Sequence, residues 1–203
     1  DAMKVLRNTY MLLGMTLAFS ALTAFLNMNG THPGFLVTIV GYVALLFATY
    51  KLKNSPWGIV TTFALTGLMG YTLGPIIGAF VAAGASQIVA QALTLTAVAF
   101  VGLSATAIIT KKDFSFLGAG LYAGLFMLIL WGFLNSFFDF GPGSRMIFSL
   151  LGALLFVGYI LYDTSVIMHH LGPDDYIMAA VNLYLDIINL FLNLLQLIGD
   201  REG

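Results

Sequence analysis

The stretch Asn182-Leu183-Tyr184-Leu185-Asp186-Ile187-Ile188-Asn189-Leu190-Phe191-Leu192-Asn193-Leu194-Leu195-Gln196 decides the fold. Asn182, Asp186, Asn189, Asn193 and Gln196 recur at spacings of four, three, four and three, and only Leu, Ile, Phe and Tyr lie between them. A helix of 3.6 residues per turn stacks the five on one stripe. The surrounding apolar run, about 176–198, has the roughly 20 residues needed to cross a bilayer core. Hydrocarbon cannot satisfy amides and a carboxyl, so the stripe must face other helices or water. This last helix is therefore expected to sit centrally, or at least to line a polar interior path.

The rest of the chain agrees. Hydrophobic residues make up 60% of the 203 and charged ones only 8%, against about 25% charged in a soluble domain. The expected class is an all-α integral membrane protein, one domain over residues 1–203. Seven spans can be placed, at about 5–28, 34–50, 57–84, 86–110, 115–138, 146–168 and 176–198. Six is the competing count, because 57–110 holds two helices joined near Gly84-Ala85-Ser86 without a charge to mark the turn. The net charge of −1 argues against nucleic acid, and the lack of cysteine excludes disulfides and thiolate metal sites. The chain opens on Asp1 rather than Met, which leaves room for a native tail ahead of it. No secretory signal pattern precedes the first apolar run, so the first span itself is expected to direct insertion.

All eight Lys and Arg residues bear on orientation. Lys4, Arg7, Lys51, Lys53, Lys111 and Lys112 share one side in a seven-span arrangement, and Arg145 and Arg201 fall opposite. The positive-inside bias predicts a cytoplasmic N-terminus and an external C-terminus, and it favours seven spans over six.

In the third span Thr66, Gly70, Gly74, Gly78 and Ala82 recur every four residues. This small-residue ridge predicts close helix packing. Pro75 removes a backbone donor within it, which predicts a kink or break and makes Gly74-Pro75 a candidate hinge. Gly120 and Gly124 repeat the packing theme in the fifth span.

Asp163 and Asp186 are the charged residues deep within the spans. An aspartate near a helix centre costs roughly 2.5–3.5 kcal/mol on insertion scales, so the pair points to ions, protons or catalysis. Asp163 lies six residues before His169 and Asp186 ten beyond Tyr176, depths of roughly 9 and 15 Å at 1.5 Å per residue. Side chains lean toward their own helix N-terminus, which brings the two carboxyls together. Such a pair is expected to share one proton and clasp the sixth and seventh helices. Ionised, it would loosen and attract a hard cation such as Ca²⁺, which takes oxygen ligands. Tyr159 and Tyr162 on the sixth helix extend the same polar path.

Other signals are weaker. His169, His170, Asp174 and Asp175 read as a solvated turn around Gly172-Pro173. Trp57 suits an interfacial anchor and Trp131 packing. A Tyr-Asp on one helix and an Asp on the next is how intramembrane aspartyl proteases present their dyad, and Tyr162-Asp163 resembles them. The second aspartate lies in Leu183-Tyr184-Leu185-Asp186 rather than Gly-x-Gly-Asp, however, and no Pro follows Pro173. A Ser/His hydrolase would need a His within a span. An enzyme is not expected.

Four stretches carry a family resemblance. They are Thr66-Gly67-Leu68-Met69-Gly70-Tyr71-Thr72-Leu73-Gly74-Pro75-Ile76, Lys112-Asp113-Phe114-Ser115-Phe116-Leu117-Gly118, Leu161-Tyr162-Asp163-Thr164 and Leu183-Tyr184-Leu185-Asp186-Ile187-Ile188-Asn189-Leu190-Phe191. With them the whole chain resembles the Bax inhibitor-1, or transmembrane Bax inhibitor motif (TMBIM), family. The opening Lys4-Val5-Leu6-Arg7-Asn8-Thr9-Tyr10 is most similar to its bacterial YccA branch. The resemblance implies seven helices with the seventh central within the other six. It also implies a pH-sensitive calcium leak with Asp163 and Asp186 as a di-aspartyl sensor, Ca²⁺ as permeant ion and no tightly bound cofactor. The YccA branch implies a bacterial inner-membrane location and modulation of the FtsH protease, a role expected to draw on a cytoplasmic tail. Some relatives pair a sensor aspartate with a basic residue near the end of helix 2, which makes Lys51 and Lys53 possible counter-charges, although helix 2 here holds no acid.

Overall fold

The structure is a computed structural model that describes residues 2–202. Seven α-helices follow one another: α1 (Ala2–Leu26), α2 (Phe35–Lys51), α3 (Trp57–Ala82), α4 (Ser86–Thr110), α5 (Gly118–Phe137), α6 (Pro142–His170) and α7 (Tyr176–Glu202). Short 3-10 turns at Ser115–Leu117 and Pro173–Asp175 lead into α5 and α7. No strand occurs among the described residues. Six of the helices are long and apolar enough to cross a membrane; α2, with 17 residues, is apolar but shorter. At 1.5 Å per residue α2 measures about 25 Å, against a hydrocarbon core of roughly 30 Å.

The chain divides into two compact units. One comprises the residues up to Ser86 with Leu171–Tyr184; the other comprises Gln87–His170 with the residues from Leu185 onward. In the first unit α3 packs on both α1 and α2. The ridge of α3 lies against the main chain of α1. A Cβ added at Gly70 would collide with Ser20, at Gly74 with Ala24 and Asn27, and at Gly78 with Met28, in each case at backbone atoms. Pro75 does not break α3, which runs without interruption from Trp57 to Ala82. The carbonyl that Pro75 leaves without its usual helical donor belongs to Tyr71. The side-chain amide of buried Asn27 donates to that oxygen at 2.8 Å. A substituted hydrogen bond therefore explains why the expected break does not occur.

The charge-free turn between α3 and α4 is set by Gly84. Its φ of +74° is left-handed, its N–H donates to Val81 O, and the N–H of Ala85 donates to Phe80 O. These are the two bonds of a Schellman cap. The first turns of α7 also belong to this unit. Ile177 and Ala180 pack with Leu12, Ile59 and Phe63, and the fully buried Tyr184 donates to Thr66 O and shares a 2.5 Å hydrogen bond with the Ser20 hydroxyl.

In the second unit the core joins α4, α6 and α7 through Ala153, Ile160 and Leu190, with Ala99, Phe100, Leu103 and Leu194 against them. Helix α6 begins four residues before the expected 146, because Gly141 turns the chain at φ +86° and Pro142 opens the helix. Arg145, expected in a loop, therefore lies in the first turn of α6. Helix α7 runs past the expected 198 to Glu202, with Arg201 in its last turn, where a cation meets the negative helix end.

Candidate functional site

The site lies in the second unit, where α6 and α7 run antiparallel. Two meetings fix their register: the carboxyls of Asp163 and Asp186 lie close enough to interact directly, and Asn193 fills the space beside Gly152, where a Cβ would collide with its amide. Asp186 is 5% exposed, and its Oδ2 has no hydrogen-bond partner. Asp163 is partly buried. With only one proton between them, such a pair can form a short clasp; with none, it presents two anions to a buried space.

Aromatic rings cluster on the same stretch of α6. Tyr159 and Tyr162 lie edge-on to each other at 6.5 Å between centroids, and Tyr122 of α5 meets them at 5.9 and 6.3 Å. The hydroxyl of Tyr159 is buried without a partner. Tyr162 packs closely on Gly118, at the start of α5, where a Cβ would fit only tightly against the ring. Tyr122 and Gly152 escaped the sequence reading. The signal for Gly152 was its position on the α6 face that also carries Ser149, Tyr159 and Asp163.

The polar stripe of α7 divides by position. Asn189 and Asn193 are partly buried and donate back to Leu185 O and Asn189 O, at 2.7 Å each. Asn182 and Gln196, at its two ends, are exposed. Gln196 lines a cavity of about 150 Å³ with Trp131, Asn135, Ser144, Arg145 and Phe148. Trp131 donates to the Ser144 hydroxyl at 3.1 Å and stands edge-on to Phe148, so the packing role expected of it is joined by a polar one.

At the other end of α6 the loop before α5 is tied down. The N–H of Phe114 donates to Ser165 Oγ at 2.7 Å, and His170 Nε2 meets Asp113 Oδ2 at 2.9 Å. Asp113 is held down to about 2 by the Ser115 N–H, then by the Ser115 hydroxyl and His170. His170 stays exposed, in keeping with the solvated reading of the sequence, and takes a partner 57 residues away. Within that turn Asp175 accepts from the N–H of Gly172. No group of three or more metal-ligating side chains occurs among the described residues.

In the first unit, the ammonium of Lys51 lies over Phe47 and that of Lys53 over Tyr50, at 5.4 and 4.3 Å from the ring centroids. The one ion pair among the described residues is His170–Asp113, so these lysines have aromatic partners rather than acidic ones. Gly70, Gly74, Pro75 and Gly78 are accounted for by the α1–α3 contact described above.

A family model described as "Inhibitor of apoptosis-promoting Bax1" matches residues 2–203. The chain belongs to the Bax inhibitor family. This Bax inhibitor family protein is 43% identical over 198 residues to the Escherichia coli K12 protein named modulator of FtsH protease YccA, covering 97% of this chain and 90% of that one. It has the same identity to a protein of a second Escherichia coli strain named inner membrane protein YccA. It is 38% identical over 182 residues to protein lifeguard 4 of Mus musculus, covering 89% of this chain and 73% of that protein.

Proposed function

We propose that this Bax inhibitor family protein is a pH-sensitive leak pathway for calcium or a similar cation, gated by the Asp163–Asp186 pair that links α6 and α7. The observation that supports this reading is the meeting of two carboxyls at a buried α6–α7 contact, one of whose oxygens has no protein partner. An isolated buried carboxyl is costly, and a pair that shares a proton is a device whose cohesion changes with proton activity. Two carboxylates supply at most four of the 6–8 oxygens of a calcium site, which suits transient passage. In this reading α2 is a seventh span, α7 is central within the other six, the N-terminus is cytoplasmic and the C-terminus is outside. The location is the bacterial inner membrane, with lipid, protons and Ca²⁺ as partners and no catalytic step.

The test is calcium flux from proteoliposomes across pH. The Asp163→Asn/Asp186→Asn double variant is expected to lose the pH dependence; a variant that keeps the wild-type profile would defeat the proposal.

A second reading, modulation of the FtsH protease, is favoured by the 43% identity to the Escherichia coli modulator of FtsH protease YccA. Pull-down with FtsH from the same preparation tests it, and the two readings do not exclude each other.

A further inference from the structure

The face of α6 that carries Asp163 also carries Arg145, Ser149, Gly152, Phe156 and Tyr159, at spacings of four, three, four, three and four. In the register fixed by Asp163–Asp186 and Gly152–Asn193, Gln196 of α7 falls beside Ser149, within reach of the first two turns of α6 that carry Arg145 and Phe148. That is where the cavity of about 150 Å³ lies.

Four oxygens along this stretch have no hydrogen-bond partner although they are buried: Asn135 Oδ1 at the cavity, Ser149 Oγ, Tyr159 Oη and Asp186 Oδ2. Buried polar atoms are almost always satisfied, and where protein does not supply the partner, ordered water does. Asn189 and Asn193 each donate an amide N–H to a backbone carbonyl, and their oxygens are further acceptors on the same line. The charged and titratable groups on the seam are Arg145, Tyr159, Tyr162, Asp163 and Asp186, with Tyr122 from α5; α4 presents Ala99, Phe100 and Leu103.

We infer that the α6–α7 seam is a water-filled file that delivers protons to the aspartate pair from the Pro142 end of α6, and that Arg145 at its mouth keeps metal cations out. A proton needs no open bore. Each water or hydroxyl oxygen takes one proton from its outer neighbour and passes another inward, so one proton leaves the mouth and one arrives on a carboxylate. A metal ion must move bodily past the mouth. Arg145 makes no ion pair with a described residue, and it sits at the positive end of the α6 dipole, so both charges oppose any cation there, a divalent ion about twice as strongly as a proton. Protons and the permeant cation then approach the aspartates by different routes. The proton-sensing role is that of the proposed function, but water in the seam can be read without any flux.

Hydroxyl-radical footprinting of the intact protein in nanodiscs supplies that reading. Tyr159 and Tyr184 are both buried tyrosines, but Tyr184 is satisfied by Ser20 and Thr66. Tyr159 is expected to be oxidised at least tenfold faster than Tyr184, and Ser149→Val and Gln196→Leu are each expected to remove most of that excess. Equal protection of the two tyrosines would overturn the water file, and a Tyr159 rate untouched by both variants would overturn its direction. The mouth is read separately, since the chain has no cysteine of its own. A thiol introduced as Gln196→Cys should react severalfold faster with an anionic than with a cationic methanethiosulfonate, and Arg145→Glu should reverse the order. An order unchanged by Arg145→Glu would remove the filter. Loss of pH-dependent flux in the aspartate double variant tests the gate alone, so the two ideas fail independently.

Discussion

Asn27 donates its side-chain amide to the carbonyl of Tyr71, the oxygen that Pro75 leaves without a helical partner. Leaving a buried acceptor unpaired costs about 1–3 kcal/mol. Asn27→Ala is therefore expected to lower stability by that order. Pro75→Ala supplies a main-chain N–H to the same carbonyl, so the double variant should lose less than Asn27→Ala alone. Thermal unfolding of the four proteins in one detergent, set out as a double-mutant cycle, checks the coupling.

The α3 ridge tolerates no side chain where it meets main chain. Gly70→Ala and Gly78→Ala each place a methyl group against backbone that cannot rotate away, at Ser20 of α1 and at Met28 just past its end, and overpacking of this kind costs about 1–3 kcal/mol. Gly14→Ala faces open space within 4 Å and should be neutral or slightly stabilising. Similar losses for all three variants would show that the ridge contact is not close.

Acid stability should report Asp113. The carboxyl sits at about 2 in the folded chain against an ordinary 3.8. A value lowered by folding adds stability above the unfolded value and loses it as pH falls through the folded one. Wild type is expected to exceed Asp113→Asn modestly above about pH 4, the margin being small for an exposed group, and the two should converge toward about pH 2. Unfolding midpoints measured across that window decide it.

Gly152→Ala forces the Asn193 amide from its place and with it the bond to Asn189 O. A loss of about 1–2 kcal/mol is expected. Asn193→Ala in the same chain should recover part of it by making room for the added methyl. Non-additivity of the two changes in unfolding free energy is the readout.

Much of this architecture can be read from the sequence because bilayer crossing leaves a strong mark. Helices α3, α4 and α7 begin at the expected Trp57, Ser86 and Tyr176, and the stripe of α7 follows from spacing alone. The uncharged α3–α4 turn was legible only as a place, since its cause is the left-handed Gly84 with two backbone bonds. Arg145 was legible as a charge outside the apolar run but not as part of a helix, because Pro142 starts α6 earlier than hydropathy does. The partners lying on other elements were beyond periodicity. Asn27 stands just past the end of α1 with no pattern around it, Tyr122 stands alone among the apolar residues of the first turns of α5, and Asp113 meets His170 across 57 positions.

The α1–α3 contact has a bearing on motion. Where main chain rests on main chain, no rotamers lie between the helices to reshuffle, and sliding one past the other would drive backbone into backbone. These two helices should therefore travel as a single stiff plank. Whatever rearrangement the protein undergoes must be found in segments joined through side chains, which can let go one at a time.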